Sequence, residues 1–187
     1  KAGAIATLVS LLGAAPEIAL QAAAALWNLS SGVGGKKAAN ITEILEAGAI
    51  PPLVALLHGT TACNASGALC NLAFKAAAAA AIRSAGGIVP LVALLHSADA
   101  ETAENAAGAL HNMSILDQQS RPAILAALAA RPPPPPPHDD RPYLAKLLNY
   151  LRSIATERLA TSEAGDDDAS LQQAIDQAAA VRVADAE

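Results

Sequence analysis

The chain has 187 residues, 53% of them hydrophobic but only 2% aromatic, and a formal net charge of −5. One Trp, one Phe and two Tyr are too few for a sandwich or barrel core, and no stretch alternates at period 2, so the chain reads as all-α. Lys and Arg are scattered without a basic stripe to neutralise phosphates, which excludes a nucleic-acid partner. Apolar runs break before the ~18 residues of a membrane-spanning helix, and no membrane partner is expected.

From the N-terminus, Gly3-Ala4-Ile5 leads into a Leu-Val-x-Leu-Leu block, Leu8 to Leu12. An Ala-rich stretch follows and ends in Ala-Leu-x-Asn at Asn28. The order returns with Gly48-Ala49-Ile50, Leu53 to Leu57 and Asn71, and again with Gly87-Ile88, Leu91 to Leu95 and Asn112. The Leu blocks lie 45 and 38 residues apart, the Asn residues 43 and 41. A period of about 40 with apolar positions at helical spacing signals stacked helical repeats. In such a stack each unit buries its apolar face on its neighbours and leaves a long concave face for a partner.

The clearest unit runs from Lys75 to Ser114. Its first helix, Lys75 to about Ala85, is nearly pure Ala, the strongest helix former, and Gly86-Gly87 ends it. A second helix starts near Ile88, with Pro90 in its first turn where the missing N–H costs little, and ends near His96. A polar turn precedes a third helix, about Thr102 to Ser114, with Ala106, Ala109, Leu110 and Met113 on its buried side. Aligning twelve residues back from each Asn matches Glu17–Asn28, Thr60–Asn71 and Glu101–Asn112. Length differences fall in the turns, as at Gly32 to Gly35, where stacked helices tolerate them. The chain starts at the tail of a first helix, and Asp117 to about Ala129 reads as the opening helix of a further unit. The array is therefore expected to be incomplete at both ends and to be a piece of something longer.

Three helices in this order, with phrases such as Ala47-Gly48-Ala49-Ile50-Pro51-Pro52-Leu53-Val54-Ala55-Leu56-Leu57 and Ala107-Gly108-Ala109-Leu110-His111-Asn112-Met113-Ser114, resemble armadillo repeats. They are most similar to those of the catenin group and of plant and algal armadillo proteins. The resemblance covers about residues 1–130. It implies a right-handed α-solenoid of about three repeats that binds other proteins without catalysis, in the cytoplasm or nucleus and without a cofactor. Some relatives attach such repeats to a U-box ubiquitin ligase, which leaves a substrate-recruiting role as an alternative; a nuclear import adapter is a more distant one.

On the third helix, Asn28, Asn71 and Asn112 share a face with Gln21, Asn64 and Asn105, seven residues earlier. An amide offers a donor and an acceptor and so can pair with an extended peptide backbone. The resemblance implies that role for the three Asn; the other reading is that they tie adjacent helices together. Import adapters carry Trp four residues before this Asn, where the chain has Ala24, Gly67 and Gly108, which argues against basic import signals as ligands. Trp27 is read as a packing or groove-edge residue, with ligand contact as the alternative, and His111 as flanking the groove. His58 and His96 both follow a Leu-Leu pair, which marks a repeat rather than a catalytic pair. His138-Asp139-Asp140 lacks the convergent ligands a metal needs. Cys63 and Cys70, seven apart on one helix, lie about 10 Å apart along its axis, too far for a disulfide; both read as free packing thiols of a reducing compartment.

Residues 131–142 form a proline-rich linker, with Pro132 to Pro137 in a row. Arg131, Pro134 and Pro137 fit a polyproline-reading docking motif, and a stiff spacer serves equally well. In the tail, residues 143–187, Tyr143, Leu144, Leu147, Leu148, Leu151 and Ile154 recur at helical spacing. They predict an amphipathic helix over about 142–164 that either covers the end of the solenoid or carries a partner. A weaker helix is expected over about 169–184, only partly ordered.

Overall fold

A computed structural model describes residues 3–32, 37–131 and 149. Regular structure among them is helical: α1 (Ala4–Leu11), α2 (Pro16–Ser31), α3 (Lys37–Glu46), α4 (Ile50–Ala55), a 3-10 turn (Gly59–Thr61), α5 (Ala62–Leu72), α6 (Ala76–Ser84), α7 (Ile88–Leu94), α8 (Ala100–Leu116) and α9 (Ser120–Ala130). The triplets α3–α4–α5 and α6–α7–α8 are two complete units. Helices α1 and α2 are the second and third helices of a preceding unit, and α9 is the first helix of a following one. Helix α5 packs against α2 on one side and α8 on the other. The linker from Pro132, the amphipathic segment 142–164 apart from residue 149, the weaker helix 169–184 and residues 33–36 of the first connection lie outside the described residues.

Each unit turns a sharp corner between its first and second helices; α6 and α7 meet at 93°. Glycine makes the corner. Gly86 sits at φ +77°, a conformation that costs a side-chain-bearing residue energy. There the amide of Gly87 closes back on the carbonyl of Ile82 at 2.9 Å, the wide ring of a Schellman cap. Gly48 does the same in the preceding unit at φ +74°, with Ala49 bonding Ile44. Gly87 has ordinary dihedrals but no room: a Cβ there would fall 2.7 Å from Ile82 Cγ2 and 3.1 Å from Val54 Cγ2. Of the Gly86-Gly87 pair, the first glycine supplies the turn and the second the close approach of two units.

One apolar cluster runs from Ile5 to Leu128. Its large members, among them Leu26, Ile44, Leu53, Leu69, Ile82, Leu91, Leu110, Met113 and Ile124, are fully buried; each such side chain contributes about 1.5–3 kcal/mol relative to exposure. Ala65, Ala68, Ala106, Ala107 and Ala109 are equally buried, so small side chains bring α5 and α8 together where aromatics would hold them apart. Ala106, Ala109, Leu110 and Met113 all face inward as the spacing predicts.

Element boundaries shift where side chains intervene. Helix α8 starts at Ala100 rather than near Thr102, because the Asp99 carboxylate accepts the Thr102 amide at 3.0 Å and caps it. Helix α9 starts at Ser120 rather than Asp117. Asp117 closes α8 instead, where its carboxylate accepts from Arg83 Nε at 2.8 Å and from Ser120 Oγ at 2.7 Å. The Arg83–Asp117 ion pair fastens α6 to the end of α8. His58 and His96 are exposed in the turns after α4 and α7.

Candidate functional site

The third helices α2, α5 and α8 lie side by side, and hydrogen bonds fix their register. Asn64 Nδ2 donates to the carbonyl of Leu20 at 3.1 Å, Asn71 Nδ2 to Ser30 Oγ at 3.2 Å, and Asn112 Nδ2 to the carbonyl of Cys70 at 3.2 Å. Each bond reaches back to the preceding third helix, 41 to 44 residues earlier in the chain. The amides therefore fall in rows across the layer, as the aligned repeats predict.

Their accessibility differs. Gln21 and Asn28 on α2 are exposed, whereas Asn64, Asn71, Asn105 and His111 are half-buried. Asn112 is 5% exposed. Of the two readings of the Asn row, the tie between adjacent helices is present in Asn71 and Asn112. Cys70 lies among the last four residues of α5, whose carbonyls have no partner within the helix, and the Asn112 amide supplies one. Asn40, on α3, does this for Leu29 near the end of α2 at 2.9 Å. Each tie uses one N–H of an amide that can form four hydrogen bonds. Asn105 Nδ2 occupies the register position of Asn64 Nδ2 and has no hydrogen-bond partner among the described residues.

Trp27 packs across the layer. Its half-buried indole covers Gly67 of α5, where a Cβ would come within 2.7 Å of the indole nitrogen. Trp27 thus makes a packing contact between successive third helices.

The two rims of the layer differ. At the second-to-third-helix turns, a cleft of about 460 Å³ is lined by Thr60, Cys63, His96, Asp99 and Thr102 among others. Glu17 and Glu101 stand in the first turns of α2 and α8 on this side. Hydrogen bonds from the Thr102 side chain and amide hold the Asp99 carboxyl below its ordinary value. At the opposite rim, Phe74 just past α5 and Ile115 and Leu116 at the end of α8 are exposed, and Lys37 Nζ lies 5.0 Å from the Phe74 ring centroid. Periodicity alone did not single out this apolar rim; its signal was an apolar residue three positions after Asn71 and again after Asn112.

Both cysteines are free. Burial pushes the Cys70 thiol up to about 11 and raises Cys63 as well, whose Sγ lies 3.8 Å from Glu101 Oε2. Raised values work against a thiolate nucleophile. Among the described residues no three His, Cys, Asp or Glu side chains are grouped to hold a metal ion.

Comparison with known proteins agrees with this geometry. The armadillo/beta-catenin-like repeat family model matches residues 76–115, the α6–α7–α8 unit. A search of the curated proteins finds no match. Among solved structures, the chain is similar to an engineered protein at 30% identity and TM-score 0.68, covering 96% of this chain and 69% of that one. It is similar to computationally designed armadillo repeat proteins for modular peptide recognition, at 26% identity and TM-score 0.65, with 94% of this chain and 82% of that one covered. A designed armadillo repeat protein in complex with the peptide (KR)4 matches at 25% identity and TM-score 0.62 over the same shares, 94% and 82%. The chain belongs to the armadillo repeat family, and its fold is that family's right-handed α-solenoid with about three repeats.

Proposed function

We propose that the chain is a non-catalytic binding scaffold that holds an extended segment of another protein against the open face of α2, α5 and α8. The carrying observation is the row of amides on that face, from the exposed Gln21 and Asn28 through Asn64 and Asn71 to Asn105. Amides pair with a peptide backbone whatever its side chains, so a row of them suits an extended strand. Structural relatives designed for peptide recognition support the reading. The free thiols fit a reducing compartment, cytoplasm or nucleus.

The test is selection of binders from a library of extended peptides, followed by affinity measurement on Gln21→Ala plus Asn28→Ala. Both residues are exposed, so their loss leaves the core intact. The expected drop is about tenfold, from two hydrogen bonds of about 0.5–1.5 kcal/mol each. Unchanged affinity rejects the open face as the binding surface.

A further inference from the structure

We propose that the rim at the C-terminal ends of α5 and α8 docks an acidic, apolar segment of the partner protein. The proposal rests on the binding face above and names the chemistry that its occupant brings to one edge.

Phe74, Ile115 and Leu116 are 47%, 44% and 39% exposed. Phe74 is the single Phe of the chain, and it stands three residues after Asn71 as Ile115 stands three after Asn112. The ties of α2 to α5 and of α5 to α8 run 41 and 42 residues back. At that offset Phe74 pairs with Ile115 and Leu116, about one helix spacing of 8–10 Å away. Two successive repeats thus leave their largest exposed apolar side chains along one line.

Cations flank that line in places that helix stability does not explain. Lys37 is the first residue of α3, and Lys75 is the N-cap of α6, where it makes no side-chain cap bond. A helix N-terminus carries a partial positive charge and disfavours a cation; α3, α6 and α9 nonetheless have no acid in their first turns. On the opposite rim Glu17 and Glu101 stand in the first turns of α2 and α8 and Asp99 caps α8, whereas α5 between them has no acid in its first turn. Neither Lys37 nor Lys75 has a carboxylate partner among the described residues. The Lys37 ammonium rests over the face of Phe74, a cation–π contact that holds the charge beside the apolar surface. Carboxylates complement the two lysines, and aliphatic or aromatic side chains cover Phe74, Ile115 and Leu116.

The experiment titrates the full chain with a short synthetic peptide that alternates Asp or Glu with Leu or Phe, and with a Lys/Arg peptide of equal length. The acidic peptide is expected to bind more tightly and to weaken with salt. Phe74→Ser plus Ile115→Ser, and separately Lys37→Glu plus Lys75→Glu, are each expected to lower its affinity about tenfold at unchanged helicity. Preference for the Lys/Arg peptide, or unchanged affinity in both variants, overturns the proposal. If only Gln21→Ala plus Asn28→Ala weakens binding, the open face stands and the rim falls; if only the rim variants do, the rim binds the acidic peptide by itself and the open-face reading alone is rejected. Leu147→Asp plus Leu151→Asp is expected to change nothing. Tighter binding in that variant overturns the proposal by assigning the rim to the chain's own C-terminal segment.

Discussion

The indole of Trp27 on α2 lies over Gly67 on α5, so closely that a Cβ at Gly67 would fall 2.6 Å from Cδ2 and 2.7 Å from Nε1 of the ring. Gly67 stands four residues before Asn71, where the resembling import adapters carry Trp. In this chain the neighbouring helix supplies the aromatic ring, and glycine is the seat that admits it. Gly67→Ala should therefore destabilise the chain by about 1–3 kcal/mol through overpacking. Trp27 is the sole Trp, so its emission reports the displaced ring directly. Shortening the ring with Trp27→Leu should recover part of the loss in a double-mutant cycle; additive costs would show that the two residues do not press on one another.

The Asn residues of the three repeats should separate into structural and binding members. Asn112→Ala removes the donor to the carbonyl of Cys70 inside a buried contact, at an expected cost of about 1–3 kcal/mol. Asn28 is exposed, and Asn28→Ala should stay within about 0.5 kcal/mol of the parent. Chemical denaturation of the two variants checks the contrast. Equal costs would mean that the Asn112 amide does not cap α5.

Acid should act through Asp99 and Asp117. The Thr102 side chain and amide lower Asp99 from 3.8. Burial pushes the Asp117 carboxyl up, but hydrogen bonds from Arg83 and Ser120 outweigh it and leave the value lowered. A carboxyl depressed by folding contributes stability that is fully present above its unfolded value and lost as pH falls through the folded one. Melting temperature should therefore hold down to about pH 4, near the unfolded carboxyl value, and fall below it. Asp99→Ala plus Asp117→Asn should melt lower at neutral pH and show a shallower acid decline; Asp99→Ala alone should cost about 1 kcal/mol as a lost cap. A parallel decline in parent and variant would place the acid-sensitive groups elsewhere.

What the sequence made legible was whatever repeats. Leu blocks at helical spacing, corner glycines and three aligned Asn residues established the helices, their order and the amide rows before any geometry was available. Single contacts were not legible. Asp99 read as part of a polar turn, because its capping bond to Thr102 depends on local dihedrals rather than on residue type. The ties from Asn71 to Ser30 and from Asn112 to Cys70 depend on how far α5 and α8 slide past their neighbours, which spacing does not report. Phe74 and Ile115 each follow an Asn of the row by three residues, and only the stacked register sets them on one rim.

The two thiols offer a last check on how firmly α5 is held. Burial raises Cys70 to about 11, whereas Cys63 is half-buried and raised by burial with Glu101 and Asp99 nearby. Thiolate is the species that alkylates, so iodoacetamide near pH 8 should modify Cys63 first and reach Cys70 through opening of α5. Mass spectrometry of partly labelled chain should then show single adducts confined to Cys63. Low denaturant should accelerate Cys70 far more than Cys63, since exposure of Cys70 requires the α5–α8 contact to open. Asn112→Ala loosens that contact and should raise the Cys70 rate while leaving Cys63 nearly unchanged. Equal rates at both thiols in the parent would mean that α5 is not packed between α2 and α8 in solution.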